Sequence, residues 1–272
     1  MKFLVVLSVC LAVATAGPAE DIWLKYNRRM PKGVNLRQDP PSSGGRIVGG
    51  VETNIINVPY QLSLREYGSH ICGGSVISEQ WALSAAHCVY PMPDVETLTL
   101  RGGSTSRLED GYIFEVAEIV IHPQYDPYNI ENDAALLRTV EPLVGFFISP
   151  IALMPINEDM PAGTRAVVSG WGLMSVPGSL PVNLRMVSVP IIDQDQCAQA
   201  WPTGWITDDM ICASEPLRSS CNGDSGGPLV VGGRQIGIVS WGQYGCWADF
   251  PTVFARVSNA RIRNFISEVA GV

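Results

Sequence analysis

From residue 47 to its end the sequence predicts an all-β fold. Short runs of alternating apolar or β-branched residues recur, turn residues separate them, and helical periodicity is confined to the last dozen residues. The stretch 47–272 holds 226 residues. That is enough chain for one large or two small barrels with real cores.

The elements follow in chain order. YQLSLRE (60–66) and TLTLRGG (97–103) alternate leucine with polar residues, the pattern of a strand with one buried face. IFEVAEIVIH (113–122) begins with the same alternation and ends β-branched. AALLRTV (134–140) and RAVVSGW (165–171) are further short apolar or β-branched runs of the same series. RMVSVPII (185–192), RQIGIVSW (234–241) and TVFARVS (252–258) complete the series. After Ser258, a candidate cap, Ile262, Phe265, Ile266 and Val269 fall on one helical face. The sequence has no fixed-period repeat, heptad pattern, low-complexity tract or N-x-Ser/Thr sequon.

Ahead of this region lie two segments of different character. Lys2, an apolar run from Phe3 to Val13, and small residues at Ala14 and Ala16 make residues 1–16 a secretory signal. The run is too short for a bilayer span, which needs roughly 20 residues. Residues 17–46 are rich in Pro, Gly and basic side chains, lack cysteine, and carry a net charge of +3. Residues 47–272 carry 11 arginines, no lysine and 23 acids, a net of −12. So acidic a surface repels phosphate backbones and disfavours nucleic acid as a partner.

Cys10 leaves with the signal. Six cysteines remain: Cys72, Cys88, Cys197, Cys212, Cys221 and Cys246. An even number in a secreted chain points to three disulfides, with fifteen possible pairings. Zinc is the weaker reading, because there is no CxxC pair and His70, His87 and His122 are scattered.

The chemistry centres on SSCNGDSGGP (219–228), where Ser225 sits between an acid and two glycines. Such residues build ordinary turns, and they also build the tight turns that present a nucleophile. A serine hydroxyl needs a base, and the base needs an orienting acid. His87 in WALSAAHC (81–88) and Asp133 in ENDAALL (131–137) are the candidates. A lone histidine is more often structural, as expected for His70 and His122, and an acid before a strand is often a turn acceptor. The three together carry the inference.

IVGG after Arg46, AAHC, NDAALL, GDSGGP and SWG (240–242) resemble the chymotrypsin family of serine proteases over essentially all of 47–272. The resemblance implies two six-stranded antiparallel β-barrels, a cleft between them and a closing C-terminal α-helix. It implies Ser225 as nucleophile, His87 as base and Asp133 as its orienting partner. The backbone N–H groups of Gly223 and Ser225 would form the oxyanion hole. Implied disulfides are Cys72–Cys88, Cys197–Cys212 and Cys221–Cys246. It also makes residues 17–46 an activation propeptide and 47–272 the protease domain. Cleavage after Arg46 by a trypsin-like enzyme would free the α-ammonium of Ile47 to pair with Asp224.

By the same resemblance the specificity pocket has Ser219 at its base, with Ser240, Trp241, Gly242 and Thr252 along its walls. A trypsin-like pocket carries aspartate where Ser219 stands, so cleavage after medium to large apolar residues is expected. Thr252 makes the pocket shallower and keeps elastase-like cleavage after small residues as the alternative. Asp249 lies in the same loop. Glu109, Asp110 and Glu115 lie near the family's calcium loop, but the spacing is shortened, so neither metal nor cofactor is expected. The expected partners are protein and peptide substrates, a trypsin-like activator and protein protease inhibitors, with no nucleic acid or membrane, for a monomer. The expected setting is extracellular, in a gut lumen, with digestion as the role. A regulatory cascade protease and a non-catalytic homologue are the other readings; the intact trio of residues argues against the latter.

Overall fold

The computed structural model describes residues 50–175, 178–216, 218–243 and 250–272. The signal 1–16, the segment 17–46, Ile47, Cys246 and Asp249 lie outside the described residues.

Fourteen strands are described, beginning with β1 (Val51–Glu52). The first barrel comprises β2 (Gln61–Glu66), β3 (Ser69–Val76), β4 (Trp81–Ser84), β5 (Leu98–Gly102), β6 (Tyr112–Ile121) and β7 (Ala135–Thr139). It closes in the order β2-β3-β4-β7-β6-β5, every pair antiparallel. After β8 (Ala152–Leu153), the second barrel comprises β9 (Arg165–Gly170), β10 (Arg185–Ile192), β11 (Met210–Ala213), β12 (Pro228–Val231), β13 (Arg234–Trp241) and β14 (Thr252–Arg256). Its strands run β10-β11-β14-β13-β12-β9, and pairing of β9 with β10 closes the ring. β1 adds antiparallel to β10, and β8 pairs parallel with β13. The fold is therefore a pair of six-stranded antiparallel barrels, as the sequence leads one to expect.

Alternation explains the one-faced strands. Leu62 and Leu64 of β2 enter the first core, and Val187, Val189 and Ile191 of β10 enter the second. The run AALLRTV has a different cause. Ala135 and Leu137 pack inside the first barrel, whereas Ala134 and Leu136 pack into the cluster dominated by the second. β4 divides in the same way, with Ala82 inward and Leu83 outward. β4 and β7 pair side by side and form the wall shared by the two barrels. His87 follows β4 and Asp133 precedes β7, so both come from this wall.

The structure corrects the reading of helices. A second helix, α1 (Gln194–Ala200), precedes the C-terminal α2 (Ala260–Ala270). α1 is seven residues long and buries only Cys197, so it leaves no apolar stripe; its signal is Asp193, whose side chain accepts from the N–H groups of Asp195 and Gln196. At α2 the cap is Asn259 rather than Ser258: Asn259 accepts from the N–H of Arg261, while Gly271 ends the helix in left-handed conformation. Ile262, Phe265 and Ile266 are buried on the expected face, and Val269 packs beside them.

Replacing the cap, Asn259→Ala, should cost about 1 kcal/mol, or roughly 2–4 °C in Tm. Thermal unfolding of parent and variant checks this, and an unchanged Tm would show that the helix holds by packing alone.

Candidate active site

The site grows from loops that leave the shared wall. The turn Ala86–Val89 after β4 carries His87, and a disulfide from Cys88 to Cys72 ties that turn back to β3. Asp133 is 1 % exposed, and every polar contact it makes points at this turn or at β13. Its Oδ1 accepts the backbone N–H of His87 at 2.8 Å. Its Oδ2 lies 2.7 Å from His87 Nδ1 and accepts Ser240 Oγ at 2.5 Å. Three donors thus replace the water that burial takes from this carboxylate. Because a carboxylate accepts, Nδ1 carries the proton and Nε2 is left with its lone pair. Among the described residues, the hydrogen-bonding neighbour of Nε2 is Cys88 Sγ, at 3.8 Å.

Ser225 is held by its backbone. Its carbonyl accepts the N–H of Gly73 in β3 at 2.7 Å. Gly226, at φ 77°, packs so closely that a Cβ there would lie 2.2 Å from Ser84 Oγ. Ser84 sits three residues before His87, so this glycine brings the serine turn against the histidine turn. Among the described residues no hydrogen bond joins Ser225 Oγ to His87; in proteases without substrate that bond is often long and tightens on binding.

The backbone around Ser225 shows a selective pattern. The N–H groups of Asp224, Gly226 and Gly227 donate to Cys221, Val239 and Asp224 carbonyls. Those of Gly223 and Ser225 have no such acceptor among the described residues. Gly223 adopts φ 95°, a conformation that L side chains avoid. Two free amides in one tight turn suit a developing oxyanion.

His70, expected to be structural, supports that turn. Its Nε2 lies 2.9 Å from the carbonyl of Gly223 and its Nδ1 lies 2.7 Å from Ser63 Oγ. Since a carbonyl only accepts, Nε2 donates and Nδ1 accepts from the serine hydroxyl. Burial lowers its pKa to about 4. His122 is also buried; it accepts the N–H of Gln124 and lies against Phe265.

Asp224 is fully buried, and its carboxylate accepts the N–H groups of Gly172 at 2.8 Å and Cys221 at 2.9 Å. Burial raises its pKa to about 6, with these two hydrogen bonds opposing the shift. Among the described residues no ion pair reaches it. Gly172 is obligatory here, because a Cβ would lie 2.3 Å from the carboxylate.

The residues expected to form the pocket have the following surroundings. Ser219 is 7 % exposed and donates its hydroxyl to the carbonyl of Ser220 at 2.5 Å. Thr252 is buried at the start of β14, opposite Ala213 of β11. Trp241 packs edge-on against Trp201, with ring centroids 4.8 Å apart. Ser240, expected on the pocket wall, donates its hydroxyl to Asp133; its position beside Trp241 in the sequence gave no sign of this partner. Cys197–Cys212 forms as expected. Cys221 is disulfide-bonded as well, and its expected partner Cys246 is outside the described residues.

For metals, Cys72, His87 and Cys88 cluster, but their sulfurs are joined to each other and offer no thiolate. In the loop of Glu109 and Asp110, the Arg101 guanidinium donates to the carbonyls of Leu108 and Asp110. A cation is thus already seated on those carbonyls. Glu115 stands on β6, opposite Thr99.

An imidazole held by a buried carboxylate, and a serine in a tight turn packed against the end of β4 from which the histidine turn leaves, are the parts that acyl transfer needs; on paired β-barrels that chemistry defines a serine endopeptidase, a hydrolase of peptide bonds. The trypsin family model matches residues 47–266. Trypsin alpha-4 of Lucilia cuprina is 42% identical over 226 residues, covering 81% of this chain and 87% of the relative. Trypsin 5G1 of Aedes aegypti is 42% identical over 241 residues, 85% and 87% of the two chains. Trypsin epsilon of Drosophila erecta is 39% identical over 264 residues, 95% of each. The chain belongs to the trypsin family.

The lowered pKa of His70 sets a pH dependence. Between pH 6.5 and about 4 the unfolded chain takes up a proton that the folded chain refuses, so stability is full above pH 6.5 and falls as pH falls. The loss should reach about 3 kcal/mol. Urea unfolding of parent and His70→Gln across this window checks the assignment: equal pH dependence in both would remove His70 as the source.

Proposed function

We propose that the protein is the secreted precursor of a digestive endopeptidase that cuts after apolar residues. His87 takes the proton of Ser225 Oγ as the oxygen attacks the substrate carbonyl, and returns it to the leaving amine. Asp133 holds the imidazole with Nε2 unprotonated and stabilises the imidazolium that forms. Gly223 and Ser225 N–H groups bind the oxyanion. The observation that carries this reading is the buried Asp133 carboxylate, which spends both oxygens on His87 and Ser240.

Specificity rests on the pocket base. The relatives are named trypsins, yet Ser219 is neutral, buried and hydrogen-bonded to the next carbonyl. A lysine or arginine of the substrate would enter with no carboxylate to meet it, and an unpaired buried charge is costly. Apolar side chains carry no such cost. Thr252 favours smaller ones and sustains the elastase-like alternative.

Assays of the trypsin-activated protein on chromogenic peptides differing before the cut test this. Rates after Phe, Tyr and Leu should exceed those after Arg and Lys by tenfold or more, and Ser225→Ala, the control, should lose about a millionfold in turnover. Preference for Ala and Val selects the elastase-like reading. Preference for Arg would overturn the apolar pocket, and activity retained in Ser225→Ala would overturn the triad.

Activation follows from Asp224. With a pKa raised to about 6, its charge weakens the fold as pH rises from 3.8 through that value, because the folded chain holds the proton more tightly than the unfolded one. A cation delivered to this carboxylate would offset the penalty, which is about 3 kcal/mol. The α-ammonium of Ile47, freed by cleavage after Arg46, is the natural candidate. Arg46→Gln should therefore stay inactive after trypsin treatment even though Arg28 and Arg29 remain. Full activity in that variant would disprove the switch.

A further inference from the structure

We propose that Asp209 is a positioning residue for proteolysis, whose buried carboxylate holds the backbone turn from which Asp133 reaches His87. The proposal rests on the role given to Asp133 above.

Asp209 stands immediately before β11 and is 0 % exposed. One carboxylate oxygen accepts the backbone N–H of Asn132 at 2.6 Å. The other accepts Thr207 Oγ1 at 2.6 Å and lies 3.6 Å from Nη2 of Arg261, in the first turn of α2. The carbonyl of Asp209 accepts the N–H of Arg256 at 2.7 Å. Second-barrel elements and α2 thus fix this side chain from several directions. Its hydrogen bond to the first barrel goes to the amide directly before Asp133.

That amide belongs to an unusual stretch of backbone. Asn132 has φ 53° and Ile130 has φ 56°, both left-handed conformations in residues other than glycine. The N–H of Ala134 donates to the carbonyl of Asn132 at 2.8 Å, closing a three-residue turn with Asp133 at its apex. Such a turn does not keep one shape unaided. The Asn132 side chain helps only on one side: Nδ2 donates to the Gln124 carbonyl at 3.0 Å, while its buried Oδ1 has no partner among the described residues. The charge-assisted bond to Asp209 is what pins the turn from the second barrel. Without it the Asn132 N–H would be buried with no acceptor, and the turn would shift to find one.

The cost of that shift should fall on turnover rather than binding. Asp133 orients the base, and neither it nor Asp209 belongs to the pocket for the substrate side chain. A displacement of about 1 Å at an orienting group can cost up to a hundredfold in rate.

The test compares parent, Asp209→Ala, Asp209→Asn, Thr207→Val and Asp133→Asn after trypsin activation, with kcat per titrated active site and KM on one good peptide. Asp209→Ala should lower kcat about 10- to 100-fold with KM within about threefold. Asp209→Asn, whose amide oxygen still accepts from Asn132, should return kcat to within about threefold of the parent. The proposal is overturned if Asp209→Ala keeps its kcat, if its loss appears in KM, or if Asp209→Asn is as slow as Asp209→Ala. Should Asp209→Ala fail to fold, Thr207→Val decides. It frees one carboxylate oxygen, so a kcat loss of about threefold or more with KM unchanged supports positioning, and an unchanged kcat overturns it. High activity in Asp133→Asn would instead refute the role of Asp133.

Discussion

A carboxylate taken out of water must find donors for its lone pairs, and this constraint shapes the whole centre of the molecule. Among the described residues three aspartates are essentially buried: Asp133, Asp209 and Asp224. Each is met by backbone N–H groups, and each of those amides belongs to a loop that the function uses. Asp133 meets the His87 amide, Asp209 the Asn132 amide, and Asp224 the amides of Gly172 and Cys221. The buried charges therefore act as fasteners for the loops between strands, where regular sheet pairing has nothing to offer.

The three differ in how far they are compensated, and the difference is informative. Asp133 has two amide and hydroxyl donors besides the imidazole. Asp209 has an amide, a hydroxyl and a nearby guanidinium. Asp224 has two amides, and burial still raises its pKa to about 6. A group left short of a countercharge in an otherwise satisfied interior is where an incoming cation would have most effect.

Much of this was legible from residue order. One-faced strands announce themselves by alternation, whereas the apolar run of β7 marks a strand but not its two buried faces, which come from its place in the wall between the barrels. The candidate site residues stood out because each sits in a short, distinctive context at a wall or turn. Other features left weak traces for physical reasons. β3 contains Gly73 and Gly74, which carry no side chain to show a pattern; a Cβ on Gly73 would lie 2.9 Å from the Gly227 Cα, so close packing removed the signal. α1 is too short to show a stripe. Asp209 lies in ITDDM (206–210), which reads as a polar turn, and its value depends on Asn132, 77 residues away. Long-range pairing of a backbone amide with a side chain has no local sequence signature.

The pocket shows how family and specificity separate. Barrels, disulfides and the fastening of the loops depend on backbone geometry and on glycines that few substitutions can replace. On the proposed reading the pocket base is one side chain set in this rigid frame. Among the described residues the Ser219 hydroxyl bonds only the carbonyl of Ser220, so changing it disturbs no described strand pairing or buried charge. A chain can thus keep about 40% identity to proteins named trypsin and carry serine at position 219. On the proposed reading, that neutral side chain sets the discrimination between charged and apolar substrates, because the frame around it contributes equally to both.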